Sequence, residues 1–196
     1  MANVSEKFGL RPYRKLDGTP LVGAQNRYTI ASGYATAIYQ GDLVEPLTSG
    51  NIQKHGANTS DAVVGVFNGC FYTDPTTKKP TFRNHFPASL SPGDGIAFVA
   101  DDPNQLFIAQ QDSAAGNIVA ADLNLNADLV FGAGSTTTGM SGVEIDSSSK
   151  NTTAALQVKL LDFYDAPSND ATANNSVLVI KINNHQLGSH TGTTGV

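Results

Sequence analysis

The sequence predicts a mainly β protein, on three observations. Its apolar residues come in short runs bounded by Gly, Asp, Asn and Pro rather than in long stretches of 3.6-residue period. Only 15% of its residues are charged, and Ser, Thr, Asn and Gly fill the gap; these residues disfavour helix interiors and favour turns, caps and strands. Two Gly-Asp turns, Gly41-Asp42-Leu43-Val44 and Pro92-Gly93-Asp94-Gly95-Ile96-Ala97-Phe98-Val99, each launch an apolar strand. At 196 residues and 40% hydrophobic content, the chain can bury one substantial core. The 19 Gly and 9 Pro follow no period, which excludes collagen-like and low-complexity readings.

Residues 1–25 read as an extended N-terminal arm. Gly9, Pro12, Gly18, Pro20 and Gly23 interrupt any period, while Phe8, Leu10, Tyr13, Leu16, Leu21 and Val22 are spaced as anchors. So many large apolar residues suit a segment that lies on its own domain, a neighbouring copy or a partner rather than in solvent. Residues 26–187 form a single β-rich domain, with strands expected at 27–31 and 42–47. The run Val63–Phe67 suits a strand covered on both faces. Asn68-Gly69 is a strong type I′ hairpin signal, the alternative being one long strand through Tyr72, bulged at Gly69, that turns at 74–80. A strand near 81–86 follows either way.

Ile96–Ala100 and Leu106–Ala109, joined by Asp101-Asp102-Pro103-Asn104-Gln105, read as a hairpin. Ser113–Leu125 is the one helix the pattern supports, with Ser113 as cap and Ala115, Ile118, Val119 and Leu123 on one face, although Gly116 interrupts it. Gly132–Ser149 is polar and Gly-rich and reads as an exposed excursion. Two strands close the domain. Leu156–Leu160 has apolar even positions that shift to Leu161 and Phe163, as a bulge would produce, and Val177–Ile182 turns Leu178, Ile180 and Ile182 inward. The Pro/Ser/Asn-rich stretch 165–175 reads as a loop, and residues 188–196 as a flexible tail.

The net charge of −5 is unevenly spread: residues 1–100 carry nine Lys/Arg against seven Asp/Glu, residues 101–196 three against ten. The cations gather near the N-terminus in Lys7, Arg11, Arg14, Lys15 and Arg27, which suits docking onto an acidic surface. Nucleic acid is not expected as a partner, because the overall balance is acidic and no dense basic stripe occurs. Neither is a membrane, since no stretch reaches the roughly 18 apolar residues of a span and no signal-peptide core opens the chain. Cys70 is the only cysteine, which excludes an intrachain disulfide and a cysteine zinc cluster. It sits in an apolar run, where a buried, inert thiol is the default. The sequons at Asn58 and Asn151 read as accidents of an Asn/Thr-rich chain made in the cytosol.

No catalytic constellation emerges. Ser141, in Thr138-Gly139-Met140-Ser141-Gly142, lacks the spacing of a nucleophile elbow. His185 and His190 are spaced wrongly for paired metal ligation, and His55 and His85 stand alone. Asp101-Asp102 with Asn104 resembles a fragment of a calcium loop but lacks its closing Glu. Gly132-Ala133-Gly134-Ser135 lacks the Lys of a P-loop. With no Trp and with aromatics scattered singly, no stacking platform for bases or sugars stands out. The protein is read as no enzyme, with no cofactor and no metal.

The chain resembles a group of structural proteins of tailed bacteriophages, especially marine ones, that act as capsid decoration or cement proteins. Phe8-Gly9-Leu10-Arg11-Pro12, Gly41-Asp42-Leu43-Val44, Val64-Gly65-Val66-Phe67-Asn68-Gly69, residues 93–103 and Ile182-Asn183-Asn184-His185 carry the likeness, through their order more than any one motif. The resemblance implies a β-barrel or β-sandwich with an extended arm and at most one short helix. It implies a virion protein that binds the outside of the shell and clamps copies of the major capsid protein, as a homo-oligomer and plausibly a trimer. Aromatic and Arg anchors dominate such interfaces, which makes Phe8, Arg11, Tyr13 and Arg14 the capsid-contact candidates by residue type and position. The alternatives are a neck, tail or fibre-associated virion part, to which a polar excursion and a mobile tail would be suited, and a small hydrolase or sugar-binding module using Cys70, a histidine or the Asp101-Asp102 turn.

Overall fold

The computed structural model describes residues 3–56, 61–91, 93, 95–114, 116–188, 192, 194 and 195. Pro92 and Asp94 of the second Gly-Asp turn, the sequon at 58–60, Ala115, His190 and much of the C-terminal tail lie outside them. Among the described residues fifteen strands are formed: β1 (Arg11–Lys15), β2 (Asn26–Ile30), β3 (Ile38–Tyr39), β4 (Leu43–Pro46), β5 (Ile52–Lys54), β6 (Gly65–Thr73), β7 (Pro80–Arg83), β8 (His85–Phe86), β9 (Gly95–Ala100), β10 (Gln105–Gln110), β11 (Asn126–Ala127), β12 (Leu129–Gly132), β13 (Gly142–Ile145), β14 (Val158–Phe163) and β15 (Val177–Ile182). All named pairings are antiparallel. One sheet runs β1-β10-β15-β14-β11; the other runs β2-β9-β6-β4-β5 with β7 on β6; β12-β13 and β3-β8 are two-stranded ribbons. The fold is mainly β, and among the described residues no sheet closes into a barrel, which is consistent with a sandwich-like arrangement.

The sheets enclose two cores. The first gathers Leu10, Leu43, Val66, Ala100, Phe107, Leu160, Leu178, Ile180 and Ile182 with Val143 and Ile145 of the ribbon. The second gathers Ile30, Ile38, Val44, Phe67, Cys70, Phe86, Ala97 and Val99. Because side chains alternate along a strand, Val66 and Phe67 of β6 enter different cores, as do Val99 and Ala100 of β9 and Leu43 and Val44 of β4. This explains the continuous apolar run at 63–67. Asn68-Gly69 is not a hairpin turn: β6 continues to Thr73 and its register against β9 shifts between Phe67 and Cys70, so the pair is a bulge, with Gly69 at φ +135°. The bulge expected near Leu161 is present too, as a register shift between Leu160 and Asp162.

Three expectations are corrected. The strands flanking Asp101–Gln105 are not each other's hairpin partners; β9 lies between β2 and β6, and β10 between β1 and β15. Asp101 is buried and accepts hydrogen bonds from Asn26 Nδ2 and Tyr28 Oη, at 2.9 and 2.6 Å, which turns the connection from one sheet into the other. The helix over 113–125 does not form: only Ala120–Asp122 makes a 3₁₀ turn, while the Gln111 side chain, not a helical carbonyl, takes the Ile118 N–H. Finally, Gly132–Ser149 is an exposed excursion only in its first half, where residues 135–138 face solvent. Its second half includes β13, buried at every position, together with buried Ser141 and Ser147.

The arm is part of the fold. β1 is the edge strand of the first sheet, and Leu10 is buried in the first core. In the tail, Gly195 N donates to Thr152 O at 3.0 Å, and Thr194 O accepts from Lys159 Nζ at 2.7 Å.

Gly9 and Gly41 cross at van der Waals distance, both at positive φ (+69° and +95°), and Leu10 N donates to Gly41 O at 3.0 Å. A Cβ on Gly41 would stand 2.6 Å from the Phe8 carbonyl oxygen. Gly41→Ala is therefore expected to lower unfolding free energy by about 3 kcal/mol. Gly50→Ala, at φ +83° with open space around it, should cost only about 1 kcal/mol. Urea titrations of the two variants check the difference; equal losses would mean that the crossing is not tightly packed.

Candidate partner-binding surface

The four contact candidates stand together at the edge of the first sheet. Arg11 pairs with Ile108 across β1-β10, which puts it on the sheet's outer face with Ile108, Val179 and Leu106. Its guanidinium lies 4.9 Å from the centroid of the Phe8 ring, and that of Arg14 lies 5.4 Å from the Tyr13 ring. Tyr13 in turn meets Tyr164 edge-to-face at 5.4 Å. These contacts hold two Arg–aromatic pairs in place while leaving Arg11, Tyr13 and Arg14 exposed and Phe8 half-buried. Cation–π contacts of this kind contribute about 0.5–1 kcal/mol each at exposed sites, enough to bias rotamers before any partner arrives.

Hydrogen bonds fasten the segment before β1. Asn3 Nδ2 donates to the carbonyls of Asp170 and Asn174, and Asn3 Oδ1 accepts from Asp170 N. Gln110 Oε1 accepts from Glu6 N while its Nε2 donates to Val4 O and Asn175 O. Lys7 pairs at 2.5 Å with Glu144, a nearly buried carboxylate on β13. Between this strap and the 164–177 loop lies a cleft of about 310 Å³, bordered by Phe8, Arg11, Ile108, Tyr164 and Val177. Lys15 pairs with Asp102 at 3.0 Å, which raises the ammonium pKa, while the Asn104 backbone N–H and then Lys15 lower the Asp102 carboxyl pKa.

Among the residues singled out for chemistry, Cys70, Ser141 and His55 have structural partners, while His85 Nδ1 and His185 Nε2 are buried without a hydrogen bond. Cys70 is buried, which pushes its thiol pKa up to about 12, and its Sγ donates to the His85 carbonyl oxygen at 3.3 Å, not to the imidazole. Ser141 Oγ donates to Asp42 Oδ1 at 2.6 Å inside the protein. His55 is buried between Glu45 and Gln157. Gln157 Oε1 accepts from Leu129 N, so its amide nitrogen faces His55 Nε2 and donates to it at 2.9 Å. His55 Nδ1 therefore carries the proton and donates to Glu45 at 2.5 Å. Among the described residues no group of three or more His, Cys, Asp or Glu is arranged to hold a metal ion.

One surface has no counterpart in the sequence reading. Phe71, Phe82 and Phe98 gather on the outer face of the second sheet, with ring centroids 4.7 Å apart for Phe71–Phe82 and 6.0 Å for Phe82–Phe98. The signal lay in register: Phe71 pairs with Phe82 across β6-β7, a spacing set by the tight 74–79 turn.

Burial holds the His185 imidazole below the ordinary histidine range, Asp101 and Asp102 opposing and Lys181 assisting. Burial, helped by Arg83, also lowers His85. The unfolded chain then binds protons that the native state refuses, so stability is full above about pH 6.5 and falls as the pH drops below it toward the depressed native values. Asp74 and Asp170, lowered by hydrogen bonds from Thr77 and Thr172, lose their contribution only below about pH 4. The urea midpoint is expected to be flat from about pH 7 to 8 and to fall by pH 5, with a shallower fall in His185→Gln. An unchanged midpoint at pH 5 would contradict the assignment of buried neutral histidines.

Comparisons with protein-family models, with curated proteins and with solved structures find no match for this chain.

Proposed function

We propose that this protein is a non-enzymatic virion component that binds the outside of a phage capsid and stabilises it, with the major capsid protein as its partner. The observation that carries the reading is the pair of preformed Arg–aromatic contacts, Arg11 on Phe8 and Arg14 on Tyr13, displayed on an edge strand tied into the domain. Arg and aromatic side chains are the residues that dominate protein interfaces, and a rigid presentation reduces the entropy lost on docking. A cement role asks for a stiff module with broad contact area, and two-core packing supplies stiffness. The second half of the Gly132–Ser149 segment, which would have suited an exposed neck or tail appendage, is folded in, with Val143 and Ile145 in the first core.

The test uses shells from which this protein has been stripped. Arg11→Glu with Arg14→Glu is expected to weaken rebinding by at least about 100-fold, because each reversed anchor replaces attraction with repulsion. Both side chains are exposed, so circular dichroism and the urea midpoint should stay near wild type. Unimpaired rebinding by the folded double variant would overturn the assigned contact surface. Failure of the wild-type protein to rebind would overturn the function.

A further inference from the structure

The segment that follows β15 ties the two sheets together. Val63 N donates to Asn184 O at 3.2 Å and Gln186 N donates to Val63 O at 2.8 Å, so His185 and Val63 form a short parallel bridge just ahead of β6. Val63 belongs to the first core and Val64 to the second. Gly188 N donates to His185 O at 3.0 Å and closes a tight turn. Gly188 also packs on Pro103, in the connection from β9 to β10, where an added Cβ would stand 3.0 Å from the proline Cβ. Three parts of the chain therefore meet at His185.

His185 is only 3% exposed, and its two ring nitrogens are unequally placed. Nδ1 accepts from Leu187 N at 3.1 Å, which puts the proton of the neutral ring on Nε2. Nε2 is buried and meets no acceptor. A second proton has one place to go, Nδ1, where it would point at the Leu187 N–H. Two donors would then face each other in a buried site, and the ring would be charged there. The surrounding charges do not rescue it. Asp101 and Asp102 face the ring from the β9-β10 connection and Lys181 faces it from β15. Asp101 is already held by Asn26 and Tyr28, Asp102 by Lys15, and Lys181 repels an imidazolium. Val63, across the bridge, brings no charge. Burial outweighs the two carboxylates and keeps the ring's proton affinity below that of an ordinary histidine.

We propose that His185 is an acid-released latch: proton binding turns its ring out to solvent, opens the 185–188 turn and frees the Val63 carbonyl at the entry to β6. Opening breaks three hydrogen bonds, those donated by Gln186, Leu187 and Gly188. The Leu187 side chain is already 57% exposed, so the turn gives up little apolar burial when it swings out. A segment held this way opens by itself, without unfolding of either core. The open form takes up a proton near pH 6.5, as an ordinary histidine does, and the closed form does not. The ratio of open to closed turn therefore rises about tenfold between about pH 7.5 and about pH 5.5. The latch stands apart from the capsid reading, since it needs nothing but the chain itself.

Hydrogen exchange of the full chain, read by NMR and corrected for the intrinsic pH dependence of exchange, tests it. Protection of the Gln186, Leu187 and Gly188 amides is expected to fall about tenfold from about pH 7.5 to about pH 5.5. Urea at about 1 M should leave these amides unaffected while speeding exchange in β10, because a local opening exposes little surface. His185→Asn sets a carboxamide oxygen where Nδ1 stands, so it keeps an acceptor for Leu187 N but does not titrate. Its protection should be flat over the same pH range. Asn fills less space than His, so a readout on the unaltered chain accompanies it: imidazole nitrogen spectra at neutral pH should show the Nε2–H form of His185. Protection that stays flat in the wild-type chain overturns the proposal, as does a fall that follows urea as β10 does. So does the same pH response in His185→Asn, or a wild-type ring protonated on Nδ1 alone.

Discussion

The buried carboxylate of Asp42 is the constraint on which the rest of the architecture depends. It accepts hydrogen bonds from Tyr39 N at 2.8 Å and Ser141 Oγ at 2.6 Å, and it pairs with Lys54 Nζ at 2.9 Å. Its own carbonyl accepts from Phe67 N, while Gly41 N donates to Phe67 O and Gly41 O takes the Leu10 N–H. An ionised carboxylate stripped of such partners inside a protein costs several kcal/mol. The arm, β4, β5, β6 and the β12-β13 ribbon must therefore arrive together for any of them to be stable there. The next two residues, Leu43 and Val44, go to different cores. A single turn thus joins the cores and anchors the arm.

That junction changes what the arm is. As free chain, Phe8 and Tyr13 would tend to hide from water, and Arg11 and Arg14 would move independently of them. With Gly9 crossing Gly41 and Lys7 held by Glu144, the strap lies over Leu106, Ile108 and Val179 and covers the outer face of β10. Every residue of β10 is consequently buried, on both faces. The Arg–aromatic pairs borrow their rigidity from this packing rather than from their own weak contacts.

Most strands were legible because their pattern is local. β14 and its bulge, β15, and the two-sided run leading into β6 follow from alternation within a few residues. Pairing is not local, which is why β9 and β10 looked like a hairpin: both alternate well, and nothing in either stretch says that β2 and β6 flank one while β1 and β15 flank the other. The helix over 113–125 failed because Gln111, outside the window, takes the backbone N–H of Ile118. Ser141, Glu144 and Ser147 read as surface residues by type, yet each is buried against Asp42, Lys7 or Asp112. The four arm residues could be chosen from type and position, but their stacking partners could not. The Phe71–Phe82–Phe98 face needed cross-strand register and stayed hidden among aromatics that are far apart in the chain.

The edge position of β1 also decides how a partner can be recognised. An edge strand offers unpaired backbone groups to an incoming strand. Here Pro12 has no N–H to give, and the chain folds back so that Lys15 N donates to Thr19 O and Arg14 bridges Pro20. Proline and a covering return are standard ways of closing an edge to strand addition. With the backbone closed off, what β1 offers is side chains: guanidinium groups on aromatic rings, at a fixed spacing. Recognition through such groups is directional and draws on charge complementarity. Under the proposed capsid role, binding at this edge should therefore depend on the geometry of carboxylates on the shell more than on any exposed strand there.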